Sequence, residues 1–464
     1  MTQHSTNGLT VGGGSNTNGG GGGGGGGDDG LQAGRARVGN GSTEDLKIEV
    51  AWTRMTPDMC DNICRTILDR EAEVPVRVVD LIDNQLGPEQ TQKIASVLES
   101  SAVRDVLLRY NDIGKEGCNA LASVVNVSTK LQLLDIRGNG LSAGCVRNLI
   151  KSISMSTALT RLGLSSNKIG EEGAALLYKG LEKNAYLTAL DVSLNEIGPK
   201  GAVSIAKLLA LPASPLKSLL VYGNHLGCAG VVAIAGAMRQ NRCLTELTLG
   251  NNNATDAATA ELADMLRENA TLEYLDLRLN TLTAVGVRNL ARDGLAHNTF
   301  LLSLCLSGNP IGSVGGDEIA KTLIMHQNGG LTRLDLSSCE LGPTGCMRIA
   351  NLISATTTLN EVNLSDNKLD DEAAVVLSRS IVNSISISML DLSSNDIGEW
   401  GASNLIDATQ LNSRMSSLVL QGNNINRVVQ KKIDTLLDER LSRNRVQHQQ
   451  ATLHYQQQVI KQIA

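Results

Sequence analysis

One pattern constrains this chain more than any other. LxxLxLxxNxIGxxG returns thirteen times at a nearly fixed step. Its ninth position is held by Asn84, Asn111, Asn139, Asn167, Asn195, Asn224, Asn252, Asn280, Asn309, Cys339, Asn367, Asn395 and Asn423, each 27 to 30 residues after the one before. A unit this short cannot bury its own apolar face, so it must stack on its neighbours. The 464 residues, which by length alone would suggest roughly three domains, are therefore expected to form one array with tails.

The clearest unit is LTRLGLSSNKIGEEGAALLYKGLEKNAY, residues 159–186. Leu162 and Leu164 lie two apart and share one face of a strand. Gly170 and Gly173 are placed to turn the chain out of that strand. Ala174, Leu177 and Leu181 then keep the spacing of an amphipathic helix folded back on it. The repeated Asn stands where the strand ends, where its amide can bond the backbone of adjacent units and satisfy groups that would otherwise be orphaned.

Four segments follow. Residues 1–45 hold the run GGGGGGGGGDDG and too few apolar groups to offset the entropy of ordering, so a disordered tail is expected. No GxxxxGK[ST] follows the glycines, which removes a phosphate loop. Residues 46–75 are expected to cap the array with a strand (LKIEVAW) and a helix, with Thr56 as N-cap and Pro57 at the first helical position. The repeats occupy 76–425. Residues 426–464 lose the period and are read as a C-terminal capping helix with a polar, Gln-rich tail.

These repeats resemble the leucine-rich repeats of the ribonuclease-inhibitor type. The resemblance runs from Val76 to about Leu437. It implies an α/β solenoid, a horseshoe with a parallel concave sheet and convex helices, each repeat having a full helix. The same repeat type occurs in activators of the Ran GTPase, in the sensor domains of nucleotide-binding immune receptors, and in ciliary and cytoskeletal proteins. Members mostly bind proteins through the concave face and loop rims. Two departures stand out. Cys339 replaces the ninth-position Asn, and repeats seven and eleven lack the turn glycines, carrying Thr255 with Ala258 and Asp370 with Ala373.

Composition narrows the function. The net charge of −6 and 2% aromatic content argue against nucleic-acid binding, which favours basic surfaces and stacking rings. No apolar run is long enough for a membrane span. Nine scattered cysteines without an apolar leader point to free thiols in a reducing compartment. No GxSxG, HExxH or Walker-type sequence occurs, and the six histidines show no metal-ligand spacing. No catalytic residue, metal or cofactor is therefore expected.

Partner-binding candidates lie on the concave side. Position five is expected to face outward between the two buried leucines. It is Asp in six repeats, at 80, 135, 191, 276, 335 and 391, never in adjacent strands, as repulsion between neighbouring like charges favours. Arg109, Arg137 and Arg278 join at position seven, with Tyr110, Tyr222 and Tyr274 nearby; Arg and Tyr are enriched in binding hot spots. The candidate set is Arg109, Tyr110, Asp135, Arg137, Asp191, Tyr222, Tyr274, Asp276 and Arg278. Cys305, at position five, is expected to be an exposed thiol. The leading reading is a non-enzymatic cytoplasmic scaffold that binds a protein partner, as a monomer or as a subunit of a cytoskeletal or ciliary assembly. One rival is a GTPase activator resembling those of Ran, whose partner would be a small GTPase. Another is a repeat sensor related to nucleotide-binding immune receptors.

Overall fold

The computed structural model describes residues 37–41, 45–71, 74–326, 330–429, 431, 432, 435 and 436. Its strands form one 15-stranded sheet in strict sequence order. The first strand, Arg37–Gly41, pairs antiparallel with Asp45–Glu49, and from there every pairing is parallel, ending at Ser417–Val419. This antiparallel strand falls inside residues 1–45, the stretch expected to be unstructured. The glycine run itself lies outside the described residues.

Strands are three residues long in most repeats, such as Arg161–Gly163, and each leads to a helix, such as Gly170–Leu181. Leucines at the fourth and sixth positions point into one continuous apolar core that runs from Leu46 to Leu420. Leu162, Leu164 and Leu177 are all buried. The capping helix Pro57–Arg70 starts as expected, with the Thr56 side chain accepting from the Met59 amide and Pro57 in the first turn.

The asparagine ladder holds the strand ends. Nδ2 of Asn167 donates to the carbonyls of Ile136 (3.2 Å) and Leu164 (2.8 Å). Its Oδ1 accepts from the amides of Asn139 and Leu141, each at 3.0 Å. Cys339 keeps half of this arrangement. Its thiol donates to the Leu306 carbonyl at 3.3 Å, but the amide of Ile311 turns instead to the carbonyl of Asn309 at 2.8 Å. A second ladder, at the helix ends, was not read from the sequence. Asn184 Nδ2 bonds the carbonyls of Ile153 and Ser156 while its Oδ1 accepts from Tyr186 and Leu187. Asn241, Asn269, Asn298 and Asn412 repeat the motif.

Two expectations about turns change. Gly170 has φ +59°, as a turn glycine should. Gly173 serves close packing instead, since a Cβ there would stand 2.4 Å from Cβ of Ile169. Where turn glycines are missing, side chains cap the helix: Asp370 accepts from the Ala373 amide at 2.9 Å and Thr255 from Ala257 at 3.3 Å. Repeat eight lacks the full helix that the resemblance implied. Its helix Ala284–Asn289 passes into a π-helical turn, Leu290–Gly294, and a 3-10 turn, Leu295–His297.

At the C-terminal end, residues 427–429, 431, 432, 435 and 436 are helical. They line a cavity against Ile406, Asp407 and Gln410 of the last full helix. The remainder of the expected tail helix lies outside the described residues.

Candidate concave-face interaction site

Position five faces away from the core, yet it forms the floor of the groove rather than its surface. Asp135 is 1% exposed, Asp276 2% and Cys305 4%. Arg109 and Arg137 lie against Asp135, Arg278 against Asp276, and Cys305 against Asp335. Cys305 is thus no exposed thiol. Burial, reinforced by the charges of Asp335 and Asp276, pushes its pKa far above the ordinary thiol value, which makes a reactive thiolate unfavourable.

The sequence candidates fall into three places. In repeats two and three, Asp135 holds both arginines. Nε of Arg137 lies 2.9 and 3.0 Å from its two oxygens, and Nε of Arg109 is 3.4 Å from Oδ2. Burial works against the Arg137 charge, but hydrogen bonds and attraction to Asp135, with Asp191 further off, hold its pKa above the ordinary value. Nε of Arg109 is buried and makes no hydrogen bond. One carboxylate between two guanidinium groups leaves the cluster with an excess positive charge. Tyr110 stands beside it at the rim, half-exposed at φ +55°, with its ring over Gly138.

The second place is repeat eight. Arg278 Nε donates to Asp276 Oδ2 at 2.7 Å, and its Nη2 lies 3.3 Å from the Tyr274 hydroxyl. Burial pushes the Tyr274 phenol up to about 12, with the Asp276 charge adding to the effect. This cluster is balanced internally. The third place holds Asp191 and Tyr222, on the neighbouring strands of repeats five and six. No arginine or lysine reaches Asp191 among the described residues; its Oδ1 accepts from the Ser193 amide at 3.0 Å.

Position eight has φ near +55° in repeat after repeat. Most repeats place Gly, Asn, Asp or Ser there, but repeats two, five and eight carry Tyr110, Leu194 and Leu279, each about half-exposed. Each packs over the glycine at the same position of the next repeat, Gly138, Gly223 and Gly308. Bulky residues in this region cost of order 1–3 kcal/mol, so these apolar knobs on the rim are retained at a cost to stability. Leu194 and Leu279 were not among the sequence candidates; the signal was present, as an apolar residue before the ladder Asn.

Comparison with known proteins places these features. A sequence profile described as Leucine Rich repeat matches residues 156–177, 183–206, 268–291, 297–320, 331–350 and 356–378. Pig (Sus scrofa) ribonuclease inhibitor is 29% identical over 335 residues, 71% of this chain and 60% of that protein. The chain carries leucine-rich repeats and is similar to the ribonuclease inhibitors. Two other relatives share shorter stretches with this leucine-rich repeat protein. Zebrafish (Danio rerio) Tonsoku-like protein is 34% identical over 184 residues, 38% of this chain and 12% of that one. Human NACHT, LRR and PYD domains-containing protein 12 is 32% identical over 186 residues, 39% of this chain and 17% of that one. The chain thus spans less than two thirds of each of these relatives. Among the described residues of the leucine-rich repeat protein, no helix is long and apolar enough to cross a membrane, and no cluster of side chains is suited to a metal ion.

Proposed function

We propose that this protein is a non-enzymatic scaffold that holds a protein partner on the concave face of its sheet. The observation that carries the reading is where its scarce aromatics stand. Of six tyrosines in the chain, Tyr110, Tyr222 and Tyr274 belong to the sheet face or its rim, beside arginines. Large planar side chains next to guanidinium groups are the usual anchors of protein interfaces. The repeat family supports protein binding in general; the candidate residues are our assignment. The excess positive charge around Asp135 suits a carboxylate on the partner.

The GTPase-activator reading is less well supported. An arginine that stabilises phosphoryl transfer must reach the nucleotide, whereas Arg109 and Arg137 are both drawn onto Asp135. The sensor reading is supported by the likeness to the NACHT, LRR and PYD domains-containing proteins. The nine cysteines are all free thiols, which suits a reducing, cytoplasmic setting.

The test is capture of the partner from the native cell, followed by affinity measurement with an Arg109→Gln, Tyr110→Ala variant. We expect a loss of more than tenfold with an unchanged circular dichroism spectrum. Unchanged affinity would move the site to the helices or the C-terminal end. Stimulation of GTP hydrolysis by a small GTPase would favour the rival.

A further inference from the structure

The capping helix Pro57–Arg70 carries two cysteines one turn apart, Cys60 and Cys64. Cys60 is fully buried, and its Sγ lies 3.7 Å from the Gln90 carbonyl on the next helix, Pro88–Leu98. Cys64 packs against the same core but keeps part of its surface open. Lys93 of the second helix crosses to Asp61 at 2.9 Å, and its ammonium acts on both sulfurs.

The two thiols are not equivalent. Cys60 has one proton to offer, to the Gln90 carbonyl or to the Cys64 sulfur. Its hydrogen bond to Cys64, with burial next, keeps it protonated and its pKa far above the ordinary value. The same bond lowers the Cys64 pKa, helped by the Lys93 charge and opposed by burial and Asp61. Burial has the opposite effect on most other inner cysteines: it pushes Cys118, Cys339 and Cys346 each up to about 12. The thiolate is the nucleophile in thiol chemistry, so an accessible sulfur beside a cation and a second thiol is placed to react.

We propose that Cys64 is a modification site for hydroperoxides and that Cys60 is the thiol that resolves it. The site lies in the cap, outside the sheet, and stands apart from the scaffold reading. The Cys64 sulfur attacks the peroxide: an S–O bond forms, the O–O bond breaks, and the leaving oxygen takes a proton, giving a sulfenic acid and water or an alcohol. The Cys60 sulfur then attacks that of Cys64. An S–S bond forms, the S–O bond breaks, and the hydroxide leaves as water with the Cys60 proton. Residues four apart on a helix have Cβ atoms about 5–6 Å from each other, whereas a disulfide holds them at about 3.5–4.5 Å. The bond therefore draws the first two turns of the capping helix out of shape. Two molecules of a small thiol reduce it by exchange and leave as their own disulfide. A transient bond of this kind belongs in a reducing compartment.

The experiment treats the full chain at pH 7 with less hydrogen peroxide than total thiol, blocks the remaining thiols with iodoacetamide and maps the tryptic peptides by mass. Cleavage after Arg54 and Arg65 releases both cysteines in one peptide, residues 55–65. The proposal expects that peptide to lose two hydrogens, and Cys64 to be consumed at least tenfold faster than Cys243, an exposed thiol. With dimedone present, Cys60→Ser should hold the adduct at Cys64. Lys93→Gln, which changes an exposed side chain and leaves the core untouched, should slow the reaction at least threefold. Oxidation of Cys243 as fast as Cys64, a peptide that stays reduced while other thiols react, or an unchanged rate in Lys93→Gln would overturn it.

Discussion

Gly163 makes the space that Asp135 fills: a Cβ on this glycine would stand 2.6 Å from Oδ1 and 2.9 Å from Cγ of the carboxylate. The strand of repeat four therefore lacks a side chain where its neighbour needs room for the group that gathers Arg109 and Arg137. Gly to Ala in a strand ordinarily gains from reduced chain entropy. Here we expect Gly163→Ala to lose about 1–2 kcal/mol, because a buried, ion-paired carboxylate must move. Urea denaturation of the variant checks the sign.

Asp135→Asn should be worse. It leaves two guanidinium groups facing each other over a neutral amide. Losing one partner of a fully buried pair costs about 3–5 kcal/mol, but Arg109 and Arg137 are 25% and 22% exposed. Solvent reduces the expected loss to about 1–3 kcal/mol. The same geometry means that reversing both arginines to glutamate is not neutral for folding, since three carboxylates would then converge. Arg109→Gln, which leaves Arg137 on Asp135, is the cleaner probe of binding.

The ladder offers a paired test. Asn195→Ala removes donors to the carbonyls of Leu164 and Val192 and the acceptor for the Ile169 amide. Unsatisfied buried groups cost about 1–3 kcal/mol, and we expect a loss of at least 2 kcal/mol for the set. Cys339→Asn works in the opposite direction. It should restore the side-chain acceptor of the ladder, in place of the Asn309 carbonyl that the Ile311 amide now uses, and raise stability by at most about 0.5–1.5 kcal/mol, the net worth of an ordinary hydrogen bond. Thermal or urea midpoints of both variants measure the difference.

Glu246 gives a pH signature. Burial, helped by the Asp191 charge and opposed by the Ser218 hydroxyl, raises its pKa above the ordinary 4.5. A carboxyl with a raised pKa in the folded state stabilises the fold at pH below 4.5 and loses that contribution as pH climbs through the folded value. Glu246→Gln should therefore be more stable than the unaltered chain at pH 7, with the gap closing as pH falls towards 4. A gap that is constant with pH would show that the carboxyl is not strained.

The fold was legible because two periods coincide in the sequence, two residues within each strand and 28 between most units. Leu162, Leu164 and Leu177 could be placed from spacing alone. The ion pairs around Asp135 were partly legible, since Arg137 lies two residues on along the same strand. Burial at position five was not, because it depends on side chains from adjacent repeats. Cys305 looks open in its own repeat and is covered only when its neighbours stack. The second ladder was present in Asn184, Asn241, Asn269 and Asn298, each three residues before a core Leu. Its spacing falls across the joint between units, where a reading centred on strands does not look. The broken helix of repeat eight has no local signal as strong as a proline.

The central claim is that partners meet the sheet and not the helices. Replacing tyrosine by benzoylphenylalanine places a photoreactive ring at sites that already hold an aromatic. Tyr110 and Tyr222 serve for the concave side and its rim, and Tyr178, on the helix Gly170–Leu181, serves for the outside. After irradiation in extract from the native cell, we expect the same protein adduct from positions 110 and 222 and none from 178. Adducts from 178 alone would contradict the account.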